Sequence, residues 1–410
     1  MTELNPTLIN DLWQQAPDIF TYLKDLKSSW AVIKHLQTAP KTIAELQPHA
    51  AAFQAYTDVV ILGTGGSSLG GQAVTALADT TNTPTLHFID NIDSTTFHTI
   101  LTRLNPTTTG VLSISKSGNT AETLMQTLTL LQAWQNFNPT VQMRIVTENK
   151  QNAMREVAAT YNISCIDHPS DVGGRFSVFT VVGLLPAMIK GIDVASFCNS
   201  ALEAFEAAEN ATPETCAPLA GALIQVAHKL QGVSTTVLFA YSNQLSKFCE
   251  WFAQLWAESL GKKDASGTAH GTTPIKAIGA IDQHSQLQLY LDGPRDKFFT
   301  FLVANDQHPL APIVLPETLT HPSVTALHNR SLGDLMIAEQ NATIDTMRRH
   351  GCPLRKVAIE HVDAANLGSL MMHFMLETLA AAKFWDVNPF DQPAVEEGKV
   401  LAIQYLQKAV

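Results

Sequence analysis

Charge is scarce in this chain. Asp, Glu, Lys and Arg make up 15% of its 410 residues, against roughly 25% in an average soluble protein. A chain this poor in charge either buries much of its surface or shares part of it with another subunit. The charge present is acidic, with 26 Lys and Arg against 37 Asp and Glu, and no basic run occurs. That argues against a nucleic-acid partner, because such binding starts with phosphate neutralisation. A small anionic ligand remains open, provided that local donors hold it.

Other absences narrow the field further. The five cysteines, Cys165, Cys198, Cys216, Cys249 and Cys352, form no C-x-x-C pair. An odd, scattered set fits neither a disulfide framework nor a zinc site, and points to a reducing, cytoplasmic compartment. There is no H-E-x-x-H and no Asp-rich calcium loop, so chemistry without metal or cofactor is expected. The N-terminus lacks a charged segment followed by an apolar one, so no signal peptide is expected. The longest apolar stretch, 177–189, is broken by Gly183 and Pro186 and is too short for a membrane span. Apolar residues at 45% exclude a disordered chain.

What is present is an alternation of short apolar runs and helical patterns. Residues 7–55 read as helical. Strands are expected at 58–62, 85–89, 110–114 and 141–146, with a helix between 120 and 134. A second block follows, with helix over 199–231, a strand at 234–240, a helix at 247–260, and strands at 277–281, 286–290 and 298–303. Helices are expected at 332–347, 366–385 and 395–408. Strands alternating with helices imply parallel sheets. The polar stretch 210–218 suggests a division near there.

Six motifs could carry chemistry. Gly63-Thr-Gly-Gly-Ser-Ser-Leu-Gly-Gly71 follows a strand. Taking Gly63 and Gly65 as the first glycines of G-x-G-x-x-G puts Ser68 in the third place, so the dinucleotide fingerprint fails. A turn able to hold an anion remains, although an ordinary βα turn would look the same. Ser115-Lys-Ser-Gly-Asn-Thr-Ala-Glu-Thr123 also links a strand to a helix. Asn119 and Glu122 suit a capping box, but the cluster of hydroxyls goes beyond one and suits a phosphate monoester. Lys116 could add charge or simply face solvent. Gly173-Gly-Arg-Phe-Ser177 pairs close backbone approach with a guanidinium. In Gln254-Leu-Trp-Ala-Glu-Ser-Leu-Gly-Lys262, Gln254 and Glu258 share a helix face. The helix end and the surrounding aromatics should raise the basicity of Glu258, as a general base requires, although a solvated surface Glu is the commoner case. Asp282-Gln-His-Ser285 and Asn388-Pro-Phe-Asp-Gln-Pro-Ala-Val-Glu-Glu-Gly-Lys399 complete the set.

In this order, from about residue 59 to 399, the motifs resemble those of the glucose-6-phosphate isomerase family. The resemblance implies two flavodoxin-like, doubly wound α/β/α domains of the sugar-isomerase (SIS) type. These would be an N-terminal unit over residues 1–205, with leading helices and the phosphate turns, and a second unit over 206–410. It implies that Ser115, Lys116, Ser117, Thr120 and Ser67 hold a substrate phosphate and that Gly66, Gly174 and Gln254 line the sugar. Glu258 would shuttle the proton through a cis-enediol, Arg175 would stabilise the developing charge, and Lys399 would sit on the ring-oxygen side. His284 would assist ring opening from the neighbouring subunit of a homodimer. The chain departs from the common family pattern at Ser117-Gly-Asn119, Leu260 and 280–282, which bears on substrate preference. A mannose-phosphate activity at the same site, or a non-catalytic phosphosugar sensor, are the alternatives.

Overall fold

The computed structural model describes residues 4–78, 83–134, 136–304 and 310–408. Two parallel sheets organise it. The first contains β1 (Asp58–Leu62), β2 (Thr85–Ile89), β3 (Thr109–Ile114), β4 (Met143–Glu148) and β5 (Ser164–His168), in the order β2-β1-β3-β4-β5. The second contains β6 (Thr235–Ala240), β7 (Thr273–Ile278), β8 (Lys297–Ala304) and β9 (Leu354–Ile359), in the order β7-β6-β8-β9. The first order is that of the flavodoxin-like doubly wound fold, and the second repeats its first four places.

The strands read as unbroken apolar runs because both faces are covered. In β1, Val59 and Ile61 join the large central core, while Val60 and Leu62 join a separate cluster on the opposite face with Leu130 and Trp134. In β6, Leu238 and Ala240 face the central core, and Val237 and Phe239 face a third cluster with Phe301 and Tyr290. The central core is continuous across both sheets. It contains Phe176, Phe179 and Phe197 from the first half and Trp251, Phe252, Trp256 and Phe374 from the second.

Helices Val194–Glu209 and Ala364–Phe384 form the seam between the halves. Gly368 makes their close approach possible, since a Cβ there would lie 2.1 Å from the Phe197 carbonyl oxygen. Deep in the second half, Glu377 is fully buried, and its carboxylate accepts from Arg355 Nη2 at 2.6 Å. Burial alone would raise the Glu377 pKa, but the Arg355 and His373 side chains outweigh it and hold the carboxyl well below its ordinary range.

Several expected elements differ. The helical region 7–55 is three helices, Pro6–Ser29, Ala31–Gln37 and Ala39–Gln54, interrupted at Trp30 and Thr38. The helix over 199–231 is broken between Glu209 and Ala217. The fourth strand starts two residues late, because Pro139–Gln142 forms a helical turn first. The strand expected at 277–281 runs over 273–278 instead. Residues 286–290 are not a strand but part of the short helix Leu287–Asp292, with Tyr290 turned inward and Leu289 outward. Of the four edge strands, β5 and β9 were not expected.

Gly368→Ala should force the two seam helices apart and destabilise the fold by about 1–3 kcal/mol, the usual range for overpacking. The check is thermal unfolding, and an unchanged Tm would mean that the seam can yield without cost.

Candidate active site

The order of the first sheet reverses between β1 and β3. Their following loops diverge there and open a crevice at the carboxyl ends of the strands, where open α/β sheets bind ligands. The loop after β3 is the hydroxyl-rich turn. Gly118 takes φ +69°, a left-handed conformation, and its N–H returns to Ser115 O at 3.1 Å. The turn then curls so that Ser115 Oγ donates to Thr120 Oγ1 at 3.0 Å and Asn119 N donates to Ser117 Oγ at 3.2 Å. The hydroxyls of residues 115, 117 and 120 therefore share one turn, as expected.

Two details of that turn differ from the sequence reading. Asn119 does not cap the helix Ala121–Ala133. Thr120 occupies the cap position without a side-chain bond, and Asn119 Oδ1 accepts from Ala153 N at 3.1 Å instead. The first N–H groups of the helix are thus not taken by its cap residue. Lys116 neither faces solvent freely nor reaches over the turn. Its ammonium lies 3.6 Å from the buried Glu148 carboxylate.

The loop after β1 adjoins this turn. A Cβ on Gly63 would lie 3.0 Å from Ile114 O, at the end of β3. Gly65 has φ +53°, and a Cβ there would meet Gln254 Nε2 at 3.0 Å. Gly66 rests directly on Gly174, with its Cβ position 2.4 Å from the Gly174 carbonyl carbon. Buried Ser177 joins these two backbones, donating to Gly174 O at 2.7 Å and lying 3.2 Å from Gly66 O. The Ser67 hydroxyl has no hydrogen bond among the described residues and is half-buried. One glycine turn therefore separates the hydroxyl turn from Gln254.

Gln254 and Glu258 lie one turn apart on the helix Ser246–Leu260, which ends at Gly261. Gln254 Nε2 donates to Glu258 Oε1 at 3.0 Å, and Arg175 Nη1 donates to Glu258 Oε2 at 2.9 Å. The expected desolvated carboxylate is not what forms. The Glu258 side chain is 34% exposed and has a guanidinium beside it. Each oxygen accepts one bond and keeps further capacity. Gln254 Oε1 is buried and has no hydrogen-bond partner among the described residues.

Arg175 is 4% exposed. Its Nε donates to Ser259 Oγ at 3.0 Å, and Nη1 serves Gln392 Oε1 at 2.8 Å as well as Glu258. Its Nη2 donates to Pro389 O at 2.5 Å and Asp391 O at 2.8 Å. Burial pulls its pKa down, opposed by Glu258 and Asp391. All five donors of the guanidinium are committed to protein. Arg175 therefore has no spare donor to place on a developing oxyanion, and what it offers the site is charge and position.

His284 and Lys399 are not brought to this cluster. His284 is exposed after β7, and its ring has no hydrogen bond among the described residues, only its backbone N–H donating to Ile281 O at 3.1 Å. Lys399 lies on helix Glu396–Lys408, none of whose residues is buried, and pairs with Glu396 at 2.7 Å. Conversely, Ser259, Gln392 and Lys262 are present at the site although no role was expected of them. Lys262 bonds Asn388 O and lies 2.8 Å from the Asp391 carboxylate. Ser259 and Gln392 lay within quoted motifs, but a neutral acceptor has no signature of its own.

Comparison with known proteins follows the same lines. The phosphoglucose isomerase family profile matches residues 23–409. A glucose-6-phosphate isomerase of Rubrobacter xylanophilus is 34% identical over 356 residues, covering 84% of this chain and 81% of that protein. One from Thermus thermophilus is 34% identical over 365 residues, with 88% and 86% covered. Among solved structures, a hypothetical protein of Thermus thermophilus superposes with TM-score 0.88 at 31% identity, covering 99% and 98% of the two chains. A glucose-6-phosphate isomerase of Chlamydia trachomatis superposes with TM-score 0.77 at 22% identity, covering 92% and 75%, and this likeness shows the shared fold. With the profile spanning nearly the whole chain, the protein belongs to the phosphoglucose isomerase family.

Proposed function

We propose that this chain interconverts glucose 6-phosphate and fructose 6-phosphate, with Glu258 moving the proton between C2 and C1. The observation that carries the reading is the Glu258 carboxylate, partly exposed and oriented by Arg175 and Gln254. It lies one glycine turn away from a ring of hydroxyls at a helix start. Family membership and curated relatives carrying this activity in their names support the same reaction.

In this mechanism Ser115, Ser117, Thr120 and Ser67 hold the phosphate with the Lys116 backbone N–H, and the start of helix Ala121–Ala133 adds its dipole. The phosphate is remote from the reacting carbons, so its binding energy positions them. Gly66 and Gly174 let the sugar lie against the backbone, and Gln254 presents its free carbonyl to a hydroxyl. Glu258 removes the C2 proton of the open-chain aldose. The C2–H electron pair forms the C1–C2 double bond of the enediol while the C1=O π pair moves onto O1, which takes a proton. O2 then gives up its proton as the C2=O bond forms, and the C1–C2 π pair takes the proton from Glu258 at C1. Carbon is oxidised at C2 and reduced at C1 of the same molecule, so no outside electron acceptor is needed. Arg175 favours the developing negative charge through its fixed positive charge in a partly desolvated site.

His284 and Lys399 complete the site in a homodimer, His284 from the partner subunit. Exposed apolar residues support an assembly. Ile281 and Leu289 flank His284 at 64% and 52% exposure, and Val400 and Leu406 on the last helix are each 58% exposed. The five unpaired cysteines support a cytoplasmic location. The two sheets, one before residue 205 and one after 206, support the division into two SIS-type units.

Two outcomes follow. Purified Glu258→Gln should fold and bind fructose 6-phosphate yet turn over at least ~10²-fold more slowly, the loss expected for a general base. Near-normal turnover in a coupled assay would remove Glu258 from the mechanism. Glu258→Gln and His284→Ala chains, each inactive alone, should recover activity when unfolded together and refolded. Random pairing leaves one intact site in half the dimers, or about a quarter of the wild-type sites. No recovery would place His284 within its own subunit's site or outside catalysis.

A further inference from the structure

The hydroxyl turn is held from behind by the segment that follows β4. Glu148 N donates to Lys116 O at 3.0 Å and Thr147 Oγ1 lies 3.2 Å from the same oxygen. Met154 N donates to Gly118 O at 3.0 Å, and Ala153 N to Asn119 Oδ1. Asn152 lies at the centre of this segment and is buried at 7% exposure. Its Oδ1 accepts from Arg155 N at 3.0 Å, which caps the helix Ala153–Thr160. Its Nδ2 faces three oxygens of the same connection, Lys150 O at 3.0 Å, Thr147 Oγ1 at 3.2 Å and Glu148 O at 3.4 Å. The amide is thereby fixed in orientation and cannot rotate without losing bonds on both ends.

Gly118 sits on that fixed amide. A Cβ at Gly118 would lie 2.1 Å from Asn152 Oδ1 and 2.2 Å from its Cγ. The left-handed residue at the apex of the turn is thus backed by the Asn152 side chain. No acceptor among the described residues meets the N–H groups of Lys116, Ser117 or Thr120. Where those groups point is decided by where the apex rests.

We infer that Asn152 is a positioning residue for phosphate. It sits outside the substrate's reach, and it sets the direction of the turn's N–H groups and hydroxyls by supporting Gly118. This rests on the reading that residues 115–120 hold the substrate phosphate.

Two variants test it. Asn152→Ser keeps a capping hydroxyl but removes the support under Gly118. Asn152→Asp keeps the shape and the cap but turns an oxygen toward the three oxygens that Nδ2 now serves. In both, KM for fructose 6-phosphate and the inhibition constant of inorganic phosphate should rise together, by about tenfold for one or two lost hydrogen bonds. In both, kcat should stay within about twofold, because the interaction is made equally in ground and transition states. A lowered Tm with unchanged KM would show Asn152 to be a helix cap only and would overturn the inference. A fall in kcat at constant KM would overturn it too. Ser115→Ala, measured alongside, separates the two levels. If Ser115→Ala weakens phosphate inhibition and the Asn152 variants do not, the inference fails and the phosphate turn stands. If Ser115→Ala has no effect on phosphate either, the turn is not the phosphate site and both fall.

Discussion

Arg175 is a buried cation whose five N–H donors all reach acceptors on other segments. Taking a charge out of water costs several kcal/mol unless its hydrogen bonds are all remade. That requirement ties three parts of the chain together: the Gly174–Phe179 turn, the end of helix Ser246–Leu260, and the turn segment 389–392. A lysine ammonium, with three donors on a flexible stem, could not serve the same planar arrangement. The carboxylate of Glu258 is aimed by the same group that anchors the C-terminal segment, so orientation of that carboxylate and order of that segment are one constraint. Lys262 adds a second tie to residues 388 and 391.

The fold brings the remaining groups to that knot in steps. The reversal of strand order in the first sheet separates the loops after β1 and β3, and both bend toward the crevice. The glycine loop lies against Ile114 O on one side and Gln254 on the other, bridging the hydroxyl turn to the helix of the second half. The side chains of the candidate site therefore come from both halves of the chain, held by one continuous core.

How much of this could be read in advance depended on the kind of signal. Central strands such as Val59–Leu62 and Phe298–Val303 are buried on both faces and stand out as apolar runs. The edge strands Ser164–His168 and Leu354–Ile359 carry Asp167, His168, Arg355 and Lys356 and show no such run, because only part of each is covered. Leu287 and Leu289 alternate as in a strand, yet Tyr290 is the residue buried and the segment is helical. At the site, Ser115, Ser117, Thr120, Gln254 and Glu258 were visible through their motifs. The role of Arg175 was legible only in part, since sequence shows a cation but not how many acceptors surround it. Asn119 looked like a cap because Glu122 follows it, whereas tertiary contact with Ala153 took its side chain away. His284 and Lys399 belong to motifs that the described residues do not bring to this cluster.

The contact between Gly66 and Gly174 limits how this enzyme can diverge. Every replacement of glycine adds at least a Cβ, and at Gly66 that atom would fall 2.4 Å from backbone carbon. Backbone cannot swing aside as a long side chain can. The loop that carries Gly66 therefore cannot gain a side chain at this point while the other stays as it is, whereas a Cβ on Gly174 would lie 3.7 Å from Gly66 Cα, an ordinary contact. Variation has to enter beside this contact rather than at Gly66, whose place against the Gly174 backbone stays closed to genetic exploration.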